Sequence, residues 1–493
     1  MIDPGNDVIR RACTALLVTL LVAAVPAAPA HAADRHAEAA ALAAESPLDL
    51  LQRHGLDRRH LRAFTLLNGI ADARGPLIAG KLYRLPAFVV PFDGERVQTS
   101  LELPMTEAID VRDHNAWLAR AGLKPPITDD HAIWVPYDHV LARAEAGQSV
   151  ADLLGRYALD GRQLSAFAQL NGLPRPDGTA ALAAGRLYRL PVHIRPYAGP
   201  TIRQALSVSA ESAWRIGAYN RTLADRGLKP QPWDDHVVWV PYELHENPAF
   251  GRYYAQYEQV SDELRDCVFY LSPGHGGPDP GTSANREGER ICEDEYAYDI
   301  ALRLGRELAR HGARVEMVLA DEGIRDTKFL TCDRDERFSD GTRISADQAT
   351  RLQQRVDLVN RIDAGLDPSM THRRFLAIHI DFRADRDRRV DFDLYHHASS
   401  EAGRRLAAIL QATIERHYDA RLGGRNFVGR IVGQTEDADF YVIRETRMPA
   451  VLLELANINN ELDQLKFIVI DSRQRIAEWL CEGLIADRER AAR

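Results

Sequence analysis

The stretch Cys267-Val268-Phe269-Tyr270-Leu271-Ser272-Pro273-Gly274-His275-Gly276-Gly277 decides how the second half of this chain folds. Its first five residues are a continuous apolar run, the pattern of a strand buried on both faces. The run then breaks into Pro, Gly and a glycine-flanked histidine. The backbone can bend there and present an imidazole at the strand's C-terminal end. Downstream, Ala297, Ile300, Ala301, Leu304 and Leu308 recur at helical spacing, and Gly312 is placed to stop that helix. Val315–Leu319, Phe375–Ile380, Phe392–Tyr395 and Val451–Leu455 read as further strands. Strands alternating with helices predict a layered α/β domain over residues 263–493, with a mostly parallel or mixed sheet.

Three more stretches fall where a predicted strand ends or a helix begins: Glu293-Asp294-Glu295, Ala377-Ile378-His379-Ile380-Asp381 and Pro449-Ala450-Val451-Leu452-Leu453-Glu454. Open α/β sheets build their sites at such edges. Two histidines and a carboxylate, His275, Glu293 and His379, can hold a catalytic zinc and leave one position open for water. Glu454 stands in an apolar strand, where an unpartnered carboxylate is costly; it is the candidate for moving protons. Taken singly, each residue has an ordinary structural explanation. Their order along the chain is what carries the argument.

Taken together, these motifs resemble the zinc-dependent N-acetylmuramoyl-L-alanine amidases, the type-3 amidase domain, over about residues 266–488. The resemblance rests on Pro273-Gly274-His275-Gly276-Gly277, the glutamate before Asp299-Ile300-Ala301-Leu302-Arg303-Leu304, the histidine ending a strand, and the Pro-Ala-Val-Leu-Leu-Glu strand. Leu352-Gln353-Gln354-Arg355-Val356 followed by Asn360 also fits. It implies His275, Glu293 and His379 as Zn2+ ligands and Glu454 as the catalytic carboxylate. The bond cut would be the amide between N-acetylmuramic acid and L-alanine of peptidoglycan. Family members usually have Asp where this chain has Ser272, and Ser-Ile-His-Ala-Asn where it has Ala377-Ile378-His379-Ile380-Asp381. Neither departure removes a ligand. His396 and His397, at a strand end, are spare histidines expected at the surface or in a supporting role. A zinc peptidase acting on peptidoglycan peptides and an inactive cell-wall-binding protein are the competing readings, and a protein activator belongs among the expected partners.

The first half of the chain repeats itself at a spacing of about 103–105 residues. Leu67-Asn68-Gly69 returns as Leu170-Asn171-Gly172, and Leu82-Tyr83-Arg84-Leu85-Pro86 as Leu187-Tyr188-Arg189-Leu190-Pro191. Trp134-Val135-Pro136-Tyr137 returns as Trp239-Val240-Pro241-Tyr242. Two copies predict tandem α+β modules over 33–145 and 146–245, then a linker over 246–262. Each opens as strand, helix, helix, strand, with Ser149 as a helix N-cap in the second copy. This order resembles LysM, a glycan-binding module. The second half of each copy is expected to be a degenerate module of the same kind. Tyr83, Tyr188, Trp134 and Trp239 are candidates either for stacking on a sugar face or for the core.

Residues 1–32 read as a secretory signal: Arg10 and Arg11, an apolar run from Ala15 to Val25, then Ala30-His31-Ala32. That run is about 11 residues, short of the ~20 needed to span a bilayer. An exported protein, periplasmic or secreted and free of the membrane after cleavage, is the expectation. Cys13 lies in the signal, which leaves Cys267, Cys292, Cys332 and Cys481 with three pairings open; an oxidising compartment favours at least one disulfide. The net charge of −9 over 493 residues argues against a nucleic-acid partner. The mixed run Arg383 to Arg389 is expected to be a solvated loop. The polar stretch 321–350 is longer than an ordinary connection and is expected to be a lid or regulatory insert.

Overall fold

The computed structural model describes residues 35–491 except 93–95, 102, 104, 175–177, 198–200, 207, 209 and 420–434. The expected signal segment and Cys13 lie outside the described residues. In the C-terminal half the main elements are β1 (Cys267–Pro273), α1 (Glu293–Arg310), β2 (Arg314–Met317), α2 (Gln348–Ala364), β3 (His372–Asp381), β4 (Asp393–His396), α3 (Glu401–Asp419), β5 (Thr435–Asp437), β6 (Ala450–Asn457), α4 (Glu461–Ile468) and α5 (Ile470–Ala491). They form one six-stranded mixed sheet in the order β2-β1-β3-β6-β4-β5. The first four strands are parallel, and β4 runs antiparallel to β6. The α/β expectation with a mixed sheet holds.

The apolar run at 267–271 is buried on both faces, as its pattern requires. Phe269 and Leu271 join Leu376, Ile378, Val451 and Leu453 in a core that α1, α3 and α5 cover. Val268 and Tyr270 join Phe375, Ala377, Ala450 and Leu452 in a second core, shared with Val356 and Val359 of α2. Each fully buried aliphatic side chain contributes about 1.5–3 kcal/mol, so the two cores fix the strand faces firmly. Side chains alternate along a strand. His379 therefore follows Phe375 and Ala377 onto the second face, and Glu454 follows Ala450 and Leu452 onto the same one. The two are register partners across β3 and β6.

Each N-terminal copy is a three-stranded antiparallel sheet. The first uses His36–Ala40, Leu82–Pro91 and Ala132–Pro136; the second uses His139–Arg143, Leu187–Pro196 and Val237–Pro241. Two short helices lie between the first two strands of each copy, and Ser46 and Ser149 cap the first of them with matching capping boxes. The second half of each copy is not a further module. It supplies one long helix, Met105–Arg120 or Ala210–Asp225, and the third strand of the same sheet. The second copy begins at His139 rather than at 146, because that strand pairs with Leu187–Pro196. The stretch 246–262 is also more than a linker. Glu243–Glu246 and Gln256–Gln259 form a hairpin, whose polar residues hid the strand pattern.

Candidate metal centre

The C-terminal ends of β1 and β3 and the N-terminal end of α1 converge. Gly274 N donates to Ile378 O at 2.7 Å, which ties the loop after β1 to the end of β3. His275 then takes a left-handed backbone with φ of 60°, a conformation rarely adopted outside glycine and often found at functional sites. A Cβ on Gly274 would collide with the His379 ring, and one on Gly281 with Glu293 and the His275 ring. Only glycine allows this closeness. One ligand atom each of His275, Glu293 and His379 lies within 4.8 Å of the others. The structure thus brings together the three residues expected as ligands.

His275 Nε2 is 3.2 Å from Glu293 Oε2, and His379 Nδ1 is 2.9 Å from Glu293 Oε1. The glutamate is held from behind: Thr282 N and Oγ1 donate to Oε2 at 3.0 and 3.1 Å, and Ile380 N to Oε1 at 3.1 Å. On its other side the His275 ring meets Asp279, with Nδ1 2.8 Å from Oδ2. Asp279 in turn pairs with Arg351. A carboxylate can only accept, so Nδ1 donates to Asp279, and Nε2 is the atom turned toward Glu293. Burial works against charge on His275, yet Asp279 and Glu293 together hold its pKa up at about 9. Burial lowers the pKa of His379 despite its bond to Glu293.

Glu454 is half-buried in β6, and its buried Oε2 has no hydrogen-bond partner among the described residues. Its pKa is raised well above the usual value by burial first, then by Glu293, Asp381 and Asp393, with Arg383 opposing. Asp393 of β4 is its register partner on the neighbouring strand. Arg383 spans Asp381 at 2.5 Å and Asp393 at 3.5 Å. The run from Arg383 is therefore not simply a solvated loop, since its arginines answer buried carboxylates. His396 and His397 stay out of the cluster: His396 Nδ1 faces His397 O, and His397 Nδ1 faces Ser399.

Arg355 of α2 is buried and donates to Ser272 Oγ at 3.0 Å, to Pro273 O at 2.6 Å and to His275 O. Ser272 thus meets this guanidinium as a hydroxyl, where the resembling family usually has a carboxylate. The polar stretch 321–350 lies against the site. Leu319–Ala320 pairs with Arg337–Phe338, Ile344 packs on Gly276 and Gly277, and Gly277 N donates to Glu336 at 2.7 Å. Cys292 and Cys332 form a disulfide that ties this stretch to the residue before Glu293, while Cys267 and Cys481 are buried free thiols.

The sequence of this domain matches a known family. Residues 270–486 match the N-acetylmuramoyl-L-alanine amidase family. The match bears out the enzyme class expected from the motifs. The probable cell wall amidase LytH of Staphylococcus aureus is 27% identical over 221 residues, which make up 45% of this chain and 58% of that protein. The chain thus spans little more than half the length of these relatives. Among solved structures, the amidase AmiC2 of Nostoc punctiforme is 21% identical with a TM-score of 0.33, covering 47% of this chain and 99% of that one. The CwlD amidase of Clostridioides difficile, solved with the GerS lipoprotein, is 17% identical with a TM-score of 0.34, over 45% and 98%. Within the amidase-type domain, Asp279, Thr282 and Arg383 escaped the sequence reading. Asp279 had one available signal, a carboxylate four residues after a glycine-flanked histidine.

Proposed function

We propose that the chain is an exported, zinc-dependent N-acetylmuramoyl-L-alanine amidase that cuts peptidoglycan between the lactyl group of N-acetylmuramic acid and L-alanine. One observation carries this reading: His275, Glu293 and His379 converge beside Glu454 at the strand ends of a domain that matches the family. The donor set fits zinc. Two imidazole nitrogens and one carboxylate are a catalytic zinc set with a position left open, and Asp279 already orients one imidazole. Zinc bound there would supply Lewis acidity to polarise the scissile carbonyl and acidify water. Glu454 would take a proton from the attacking water and hand it to the leaving amine. Its surroundings suit the acid step, because burial and the neighbouring carboxylates raise its pKa and so favour its protonated form. Among the described residues no helix is long and apolar enough to cross a membrane.

The repeats would hold the enzyme on its polymer, and burial limits which side chains could touch it. Tyr83, Tyr188 and Trp239 are core residues, 3%, 2% and 1% exposed, so they cannot stack on a sugar. Trp134 is half-buried and lines an open cleft with Arg35, Glu38 and Arg84. We assign glycan contact to that cleft of the first copy. Mass spectrometry of digested sacculi tests the main reading. Free muramic lactyl ends support an amidase; shortened peptides with an intact lactyl–alanine bond would make it a peptidase.

A further inference from the structure

A second group of acids sits behind the candidate zinc site. Asp294 and Glu295, in the first turn of α1, meet Glu336 of the 321–350 stretch, and one oxygen of each lies within 4.8 Å of the others. All three are interior: Asp294 is 1% exposed, Glu295 0% and Glu336 4%. Glu295 is compensated, since Arg325 Nη1 binds its Oε2 at 2.8 Å and Asp333 N donates to Oε1 at 3.0 Å. The other two are not. Asp294 Oδ2 and Glu336 Oε1 are buried and have no hydrogen-bond partner among the described residues. Their remaining oxygens accept only backbone N–H groups, from Glu295 and Gly277.

Two uncompensated carboxylates in the interior are strongly unfavourable unless a proton or a cation joins them. We infer that Asp294, Glu295 and Glu336 form a second metal site, for a hard divalent cation of the calcium type, distinct from the zinc ligands. Three carboxylates less one arginine leave two negative charges, which a divalent cation balances. The ligands are all oxygen, which suits calcium rather than zinc, and Ca2+ accepts flexible carboxylate geometry. Mg2+ fits less well, because it keeps several waters and this group is closed off from solvent.

The position gives the site a role. Glu336 also accepts from Gly277 N, two residues beyond His275, while Asp294 directly follows Glu293. A cation here would brace the 321–350 stretch against two of the three segments that carry the candidate zinc ligands, those of His275 and Glu293. The Cys292–Cys332 disulfide makes the same connection by a covalent route.

Ca2+ added to full-length, zinc-loaded protein tests this. Metal analysis after gel filtration in millimolar Ca2+ is expected to find one Ca2+ per chain, and Tm is expected to rise with Ca2+. Glu336→Gln is expected to lose that Ca2+ and the Tm response while keeping its zinc; Asp294→Asn serves if the first variant fails to fold. His275→Ala is expected to keep the Ca2+ equivalent, so the two metal readings fail separately. Wild-type protein that takes up no Ca2+ and shows no Tm response would mean the acids share a proton, and the site would be overturned. So would Ca2+ uptake unchanged in both acid variants.

Discussion

Asn68 and Asn171 do the same work in the two repeat copies. Each side chain donates to a helix carbonyl at 2.8 Å, Phe64 or Phe167, and to a strand carbonyl, Arg84 at 2.9 Å or Arg189 at 2.8 Å. Each also accepts from that strand's N–H at 2.9 Å. Asn115 and Asn220 repeat the device one element later, bonding Trp134 O and Trp239 O. In the amidase-type domain the polar side chains at the sheet's edge behave differently. Glu454, Asp294 and Glu336 each keep a buried oxygen with no hydrogen-bond partner among the described residues. An unpaired buried polar atom costs about 1–3 kcal/mol, so a fold retains it where something else uses it. The recurring, fully paired amides belong to the architecture of the repeats, and the three orphaned carboxylates are the groups to which the proposed chemistry is assigned.

The sharpest way to break this contrast is Glu454→Gln. The amide keeps the shape of the side chain and cannot act as a base. Turnover on a soluble muropeptide is expected to fall by about 10²–10⁴, with zinc content and Tm near those of the wild type. Near-normal turnover would return Glu454 to the structural residues and move proton transfer elsewhere.

The sequence made His275, His379 and Glu454 legible because each interrupts an apolar run at a strand, where burial makes a polar side chain conspicuous. The parallel part of the mixed sheet was legible for the same reason, through runs such as Cys267–Leu271. Asp279 was not, since a Pro-Asp-Pro-Gly turn looks like any other loop until the fold closes it onto an imidazole. Whether Tyr83, Tyr188 and Trp239 face a sugar or the core was not legible, for a reason of periodicity. Alternation separates two strand faces and does not say which one meets the core. The repeat length also could not show that Trp134-Val135 and Trp239-Val240 join the sheet already begun, because that pairing is non-local.

The two copies differ where their tryptophans lie, and substituting each sharpens that difference. Trp239 is packed under Arg62 of the first copy, 5.0 Å from its ring, and that arginine also donates to Leu228 O at 2.7 Å. Trp239→Ala is expected to cost about 3–5 kcal/mol, as large core deletions do, read from the denaturant midpoint of the full chain. Trp134→Ala is expected to cost clearly less and instead to weaken sedimentation with purified peptidoglycan, leaving turnover on a soluble substrate unchanged. If Trp134→Ala sediments like the wild type, its cleft is not the glycan contact, and both tryptophans are architectural.

The smallest expected effect concerns acid stability, and it checks that fully paired carboxylates in the amidase-type domain act as structure. Asp463 is buried between Lys466 Nζ, 2.6 Å from Oδ1, and the N–H groups of Asn457 and Val390, which donate to Oδ2 at 2.8 and 2.9 Å. Burial alone would raise its pKa, but Lys466 and these hydrogen bonds outweigh burial, and the folded value lies below the ordinary one. A group whose pKa is lowered by folding adds stability above its unfolded pKa, about 3.9 for Asp, and that stability is lost as pH falls through the folded value. Urea midpoints should therefore carry the full Asp463 contribution from neutral pH down to about pH 5 and lose it progressively below about pH 4. Asp463→Asn should be less stable than the wild type at pH 7, with the gap narrowing as acid protonates the native aspartate. A gap that stays constant from pH 7 to pH 3 would show that the residue acts through packing and hydrogen bonds rather than through its charge on Lys466.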